Sequence, residues 1–385
     1  MTVTVVGLDG AALPPGAAQA LAGAQVVVGA PYQLANVPVP ASARVLEPAE
    51  LDGLQDTPTV VLASGDPGFF GIVRSLRKRG LRPVVLPARS SVARAFALLG
   101  RSWDDVAVVS AHGDRPLRRV VNVCRAHPAV AVLTGPGAGA AEIVAGLGGW
   151  RRSVLVAEDL GGPDERVRRF DGGPVRDPHI VLCLADEDAV PTRGWIAGGE
   201  PVPPAAGWAL DEAEFSHRDG MITKSEVRAL ALARLAPGPG RLVWDLGAGS
   251  GSVGVECARL GAAVIAVERD PAQCARLVAN ASAHQVDVRV IEGEALAVLG
   301  GLPEPDAVFV GGGGPDVVRA AAKASPRVVV ALAALDRLAP CRTALREAGH
   351  EVDGIQLAAS RFAELPDGSV RLAATNPVLV LWGRR

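Results

Sequence analysis

Lysine is almost absent. Only Lys78, Lys224 and Lys323 occur among 39 basic residues, and 41 acidic residues leave a formal net charge of −2. The arginines are dispersed and form no basic stripe, which argues against a nucleic-acid partner. No uncharged apolar run reaches the roughly 18–20 residues that a membrane span requires, so no membrane association is expected. The opening MTVTVVGLDG has no cationic region and Asp9 interrupts its apolar run, so no signal peptide is expected. Cysteine is scarce and odd in number: Cys124, Cys183, Cys257, Cys274 and Cys341 lie far apart, with no C-x-x-C pair and no histidine at ligand spacing. Structural zinc is thereby disfavoured and no metal site is expected. Most of these thiols sit inside apolar runs and read as buried free cysteines in a reducing cytoplasm. Internal repeats and low-complexity tracts are missing as well.

What is present is a chain of 385 residues with 49% hydrophobic content, enough for two or three domains with sizeable cores. Apolar strand-like runs alternate with helical patterns almost throughout, which predicts an α/β protein built on parallel sheets. The alternation breaks between Asp186 and Asp211, where prolines stand at 191, 201, 203 and 204. Such text reads as a semi-extended linker, dividing the chain into 1–200 and 201–385.

The most informative stretch is VWDLGAGSGSVGVECARLGAAVIAVE, residues 243–268. A strand over 241–246 carries Asp245 near its end and runs into Gly247, Ala248, Gly249, Ser250 and Gly251, then into an apolar helix. A second strand ends at Glu268. Alternating glycines let backbone approach a ligand and leave amides free at a helix N-terminus. An acid at the next strand tip is placed to accept from ribose hydroxyls. A dinucleotide fingerprint needs glycine at 252, where this chain has Ser252. The spacing D-x-G-x-G-x-G instead resembles motif I of S-adenosylmethionine methyltransferases. Further strands over 286–292, 306–310 and 327–332 and an antiparallel closing pair near 351–360 and 377–382 complete a Rossmann-like sheet of seven strands.

In the first half, strands are predicted at 3–8, 26–29, 59–63, 83–86, 106–110, 130–133, 153–157 and 179–184. Three of the turns between them are distinctive. The first is Gly7-Leu8-Asp9-Gly10. The second, SGDPGFFG over 64–71, either presents carbonyls and amides to a flat ligand or is a tight turn capped by Asp66. The third is PARSS over 87–91, with Ser90 placed as a helix N-cap.

These turns, the helix text after Ser91 and SAHG at 110–113 resemble the tetrapyrrole methylase family, in that family's order. The resemblance implies a two-lobed α/β fold that holds S-adenosylmethionine with backbone from Gly7, Ser64, Gly65 and Asp66. The first turn departs from the commoner G-x-G-P-G form, with Asp9 and Gly10 where glycine and proline usually stand.

The second half carries GMITKSEVR at 220–228, the glycine motif, VERDP at 267–271, Glu292-Gly-Glu294-Ala295, the glycines 311–314 and TNPV at 375–378. Together the halves resemble the precorrin-6Y C5,15-methyltransferase (decarboxylating) family of cobalamin biosynthesis. That resemblance implies a small-molecule tetrapyrrole substrate and a cytoplasmic enzyme, and a homo-oligomer is compatible with it. It also implies C5 methylation by the first half, and C15 methylation with loss of the C12 acetate carboxyl by the second. Cofactor contacts are then expected from Thr223, Asp245, the turn 247–251, Glu268, Glu294, Ala295, Gly311 and Gly312. Lys224, Glu226 and His217 are the candidate proton donors or orienting groups for decarboxylation. Arg89, Arg115 and Arg228 are candidates for receiving the acidic side chains of the macrocycle. Rival readings are a methyltransferase of another substrate, an NAD-dependent oxidoreductase and a non-catalytic tetrapyrrole carrier.

Overall fold

A computed structural model describes residues 3–53, 57–112, 116–190, 197–198, 207–218 and 220–385. The four prolines of the expected linker, Gly113 and Arg115 lie outside the described residues. The chain forms two compact units. One comprises 1–114, 129–144 and 152–198; the other comprises 115–128, 145–151 and 199–385.

The first unit holds two five-stranded sheets. Strands β1 (Val3–Leu8), β2 (Val26–Val28), β3 (Arg44–Leu46), β4 (Thr59–Ser64) and β5 (Val84–Leu86) run in the order β3-β2-β4-β1-β5. All four pairings are parallel, so β4, β1 and β5 release their distinctive turns side by side at one sheet edge. Val5, Val6, Val60 and Val61 are all buried, the continuous apolar text of strands covered on both faces.

The second sheet comprises β6 (Ala107–Ser110), β7 (Ala129–Leu133), β8 (Ser153–Glu158), β9 (Arg166–Arg169) and β10 (His179–Leu184). Its order is β6-β7-β10-β8-β9, parallel only between β6 and β7. Strands β3 and β9 escape the hydrophobic pattern. β9 reads RVRR and is held at the edge by charge: Arg166 Nε and Arg168 Nε lie 2.9 and 3.0 Å from Oε2 of buried Glu158. The Arg168 guanidinium, aided by the Arg176 amide and Arg166, outweighs burial and brings the Glu158 carboxyl down to about 2.

The second unit contains a seven-stranded sheet made from β11 (Leu242–Leu246), β12 (Ala263–Glu268), β13 (Arg289–Glu292), β14 (Ala307–Val310), β15 (Arg327–Leu332), β16 (Glu351–Leu357) and the last strand, β19 (Val378–Arg384). The order is β13-β12-β11-β14-β15-β19-β16, with β19 antiparallel to both neighbours. The closing pair is therefore antiparallel as expected, but its connection is not short. A separate hairpin, β17 (Ser360–Glu364) with β18 (Val370–Ala374), intervenes. Arginines and acids break up its apolar text, and Phe362 and Leu372, paired across it, are exposed.

Alternation along β11 sends Leu242, Trp244 and Leu246 to one face and Val243 to the other. Trp150, carried by the 145–151 segment of this unit, joins the first core, its ring flanked by Arg125 and Arg289 at 4.7 and 5.3 Å. A fully buried ion pair fixes the 209–228 stretch of the second unit: Arg228 Nε lies 2.7 Å from Glu256 Oε1. Arg228 also donates to the carbonyls of Thr223 and Leu210, while Glu256 accepts from the amides of Ala209 and Leu210. Removing one member of such a pair leaves an unpaired buried charge. Arg228→Met is thus expected to cost about 3–5 kcal/mol of stability, read as a lowered denaturation midpoint of the full chain. A loss within about 0.5 kcal/mol, as surface changes give, would show the pair to be dispensable.

Candidate functional site

In the second unit the chain leaves β11 at Leu246 and turns back through 247–251 into the helix Ser252–Arg259. Gly247, Gly249 and Gly251 all hold φ between 56° and 76°, the left-handed region where a side chain is strained. A Cβ on Gly251 would lie 2.3 Å from Leu277, whereas one on Gly249 would meet no atom within 4 Å. The turn is thus packed from behind at Gly251 and open in front at Gly249.

Glu268, at the tip of β12, staples this turn in place. Its Oε2 accepts from the Gly249 amide at 2.8 Å, and Oε1 accepts from Arg269 and Asp270 amides, each at 2.9 Å. Asp245 lies beneath the turn, 1% exposed, with Oδ2 accepting from the Gly254 amide at 2.8 Å. The Gly311 amide donates to Leu246 O at 2.9 Å, and a Cβ on Gly247 would touch Gly312 N at 2.8 Å, so the tips of β11 and β14 are in contact. Gly293 donates to Glu268 O, which brings Glu294 and Ala295 to the same edge.

The other expected residues form a second group. Thr223 O is held by Arg228, Lys224 precedes the helix Ser225–Leu235 at its N-cap position without a side-chain cap and donates Nζ to Gly220 O at 3.5 Å, and His217 Nδ1 accepts from the Gly220 amide at 3.2 Å. Glu226 is taken up by Arg361, whose Nη2 stands 3.0 and 2.9 Å from its two carboxylate oxygens. Arg361 also grips Glu212 with Nη2 at 2.9 Å from Oε1. That guanidinium holds Glu226 below the usual carboxylate range and, against burial, brings Glu212 down to about 2.

In the first unit, Gly65 N donates to Leu8 O at 2.6 Å, joining the β1 and β4 turns. Asp9 accepts Arg89 Nε at 2.7 Å, and its carbonyl accepts Arg94 Nη1 at 2.7 Å. Burial works to raise the Asp9 carboxyl, but Arg89 and the Ala11 amide outweigh it and leave it lowered. Asp9 therefore ties the first turn to the third. Asp66 Oδ1 accepts from the Gly68 amide at 2.8 Å, and Ser64 Oγ lies 2.8 Å from Tyr32 Oη. Ser90 caps the helix Ser91–Leu99, accepting from the Ala93 amide at 3.1 Å.

Two glycine-bearing turn systems thus lie at the carboxyl ends of parallel strands, one in each unit, and each unit has its own match among known proteins. The family model Tetrapyrrole (Corrin/Porphyrin) Methylases matches residues 3–173, and Precorrin methyltransferase domain matches 213–371. A Sinorhizobium protein named precorrin-6Y C(5,15)-methyltransferase [decarboxylating] is 42% identical over 69% of this chain and 65% of its own length. A Pyrobaculum calidifontis protein, "Probable cobalt-precorrin-6B C(15)-methyltransferase (decarboxylating)", is 33% identical over 46% of this chain and 96% of its own. The cobalt-precorrin-7 C(5)-methyltransferase of Salmonella typhimurium is 30% identical over 43% of this chain and 88% of its own. The chain belongs to the precorrin methyltransferases. It spans just under two thirds of the length of the Sinorhizobium relative.

Two of the three arginines expected to receive substrate are otherwise engaged in this chain. Arg228 is fully buried in its ion pair, which corrects its expected role, and Arg89 is paired with Asp9. Sequence reasoning also missed Asn280. Its side chain accepts from Ser216 N at 2.8 Å and donates to Ser216 O at 2.9 Å and Ser250 O at 2.8 Å. It thereby binds the His217 loop to the glycine turn. Buried in a helix in the text PAQCARLVANASA, it carries no motif that would have flagged it.

Burial pushes the Asp245 carboxyl up to about 7, the Gly254 amide opposing and Glu268 adding to the rise. An acid whose folded pKa lies above its ordinary 3.8 gives stability that is present below about pH 4 and lost as pH rises through about 7. The full difference is on the order of 4 kcal/mol. Asp245→Asn keeps an acceptor for the Gly254 amide, and is expected to raise the melting temperature more at pH 8 than at pH 5. Equal shifts at both pH values would show that Asp245 does not titrate in this range.

Proposed function

We propose that the chain uses S-adenosylmethionine to methylate a reduced precorrin-6 macrocycle at C5 and C15, and that it removes the carboxyl of the C12 acetate. The single observation carrying this reading is the pair of turn systems, each at the carboxyl edge of parallel strands and each built differently. In the first unit, backbone of Gly7, Ser64, Gly65 and Asp66 would hold one cofactor for C5. In the second, the amides of 247–251, Glu268, Ala295 and the Gly311–Gly312 edge would hold another for C15, with Thr223 and Glu294 beside them.

The residues suit that group. Glu268 accepts three amide hydrogens and, with about four acceptor positions on a carboxylate, keeps capacity for a ribose hydroxyl. The open front of Gly249 leaves the turn free to be approached. When bound, S-adenosylmethionine supplies a methyl group already activated on its sulfonium. The meso carbon of a reduced tetrapyrrole is an electron-rich, enamine-like nucleophile, so little acid–base work is asked of the protein. Its residues orient carbon toward methyl and keep water out.

Decarboxylation asks more: an electron sink, which the macrocycle provides, and a proton for the new carbon. Glu226, kept ionised by Arg361, anchors the β17 strand to the helix Ser225–Leu235 and is poorly suited to give up a proton. Lys224 and His217, both turned onto the Gly220 peptide, are assigned instead to orienting the acetate and protonating the carbon.

Incubation with reduced precorrin-6 and S-adenosylmethionine, followed by mass spectrometry, is expected to give a product with two methyls gained and one carboxyl lost. Lys224→Met with His217→Ala is expected to leave a doubly methylated product that retains the carboxyl. A fully decarboxylated product from that double variant would remove both residues from the mechanism.

A further inference from the structure

The turn 64–71 links β4 to the helix Ile72–Lys78. Its second half is aromatic: Phe69 and Phe70 pack edge to face, centroids 5.0 Å apart, and Phe70 holds φ of 57°, a backbone that residues with side chains rarely adopt. Phe70 lines two cavities. One, of about 260 Å³, is lined by Leu62, Phe69 and Ile72 together with the Tyr32–Ser64 hydroxyl pair, Gln33 and Asp66. The other, of about 450 Å³, is lined by Gly68, Gly71, Arg74, Arg77 and Lys78.

Arg74, Arg77 and Lys78 follow i, i+3, i+4 spacing on the helix Ile72–Lys78 and so share one face. All three are exposed, and none has an acidic partner among the described residues. Elsewhere in this unit Arg89, Arg94, Arg101, Arg166, Arg168, Arg169 and Arg176 are each paired with an acid, while Arg44 and Arg82 lie exposed with no acidic partner among the described residues. The helix C-terminus favours Arg77 and Lys78 electrostatically, but Arg74 stands outside the last turn and repels Lys78 four residues on. Three cations without acidic partners among the described residues line one cavity beside the Phe69–Phe70 aromatic step, which matches a ligand with a flat apolar body and a carboxylate rim.

We infer that this groove receives the acidic side chains of the macrocycle for the first-unit methylation, with the Phe69–Phe70 step contacting its apolar ring. The inference rests on the functional reading above and assigns the anion contacts that Arg228 cannot make.

The test uses the full chain, reduced precorrin-6 and S-adenosylmethionine labelled with 13C at its methyl, the two product positions being resolved by NMR. Exposed ion pairs are individually weak, so the triple variant Arg74→Gln/Arg77→Gln/Lys78→Gln is the informative one. It is expected to raise KM for C5 methylation roughly tenfold at low salt and to flatten its salt dependence, leaving kcat near wild type. C15 methylation and S-adenosylhomocysteine affinity should not change. Arg74→Lys/Arg77→Lys, which keeps the charge, should hold KM within about threefold. A KM and salt dependence equal to wild type in the triple variant would overturn the groove while leaving the functional reading intact. A wild-type chain that transfers no methyl group to the macrocycle would instead overturn the functional reading and the groove with it.

Discussion

Backbone passing backbone at less than side-chain distance is the constraint on which both candidate sites depend. A Cβ on Gly7 would lie 2.5 Å from Gly65 O, and one on Gly247 would lie 2.8 Å from Gly312 N. Parallel strands roughly 4.7–4.9 Å apart bring their exit turns together at one edge, and only turns without side chains can then interleave. The dense glycine text is the sequence counterpart of that crowding. Carboxylates lock the result: Glu268 across the β11 and β12 tips, and Asp9 between the first and third turns of the other unit.

A chain with so few lysines and a net charge near zero can still present cationic surface locally. Most arginines in the first unit are spent on internal acids, as in the Glu158 and Asp9 clusters, so bulk charge says little about ligand preference. What remains for a ligand is local. In the helix that follows the SGDPGFFG turn, Arg74, Arg77 and Lys78 have no acidic partner among the described residues.

Much of the fold was legible because its strands are covered on both faces and read as unbroken Val, Leu and Ala. β1 and β10 fall at the residues the pattern picks out. The strands that stayed hidden are held by charge or by pairing alone: β9 by Glu158, and the β17–β18 hairpin by its own register and Arg361. The candidate site divides the same way. Glycine turns and strand-tip acids announce themselves by spacing, and so does the Ser90 cap. Arg228 looked like a surface cation because a buried ion pair leaves no trace in its own sequence neighbourhood; its partner Glu256 is 28 residues away. Asn280 and Arg361 act over 30 and 149 residues, beyond the reach of any local pattern.

The central claim is that two separate cofactor sites operate in one chain, one held by backbone and one relying on a strand-tip carboxylate. Calorimetry with S-adenosylhomocysteine measures this directly. The wild-type chain is expected to bind two equivalents, and Glu268→Ala to weaken one of them by roughly ten- to 150-fold while leaving the other unchanged. A single equivalent in the wild type, or equal weakening of both sites in the variant, would contradict the account.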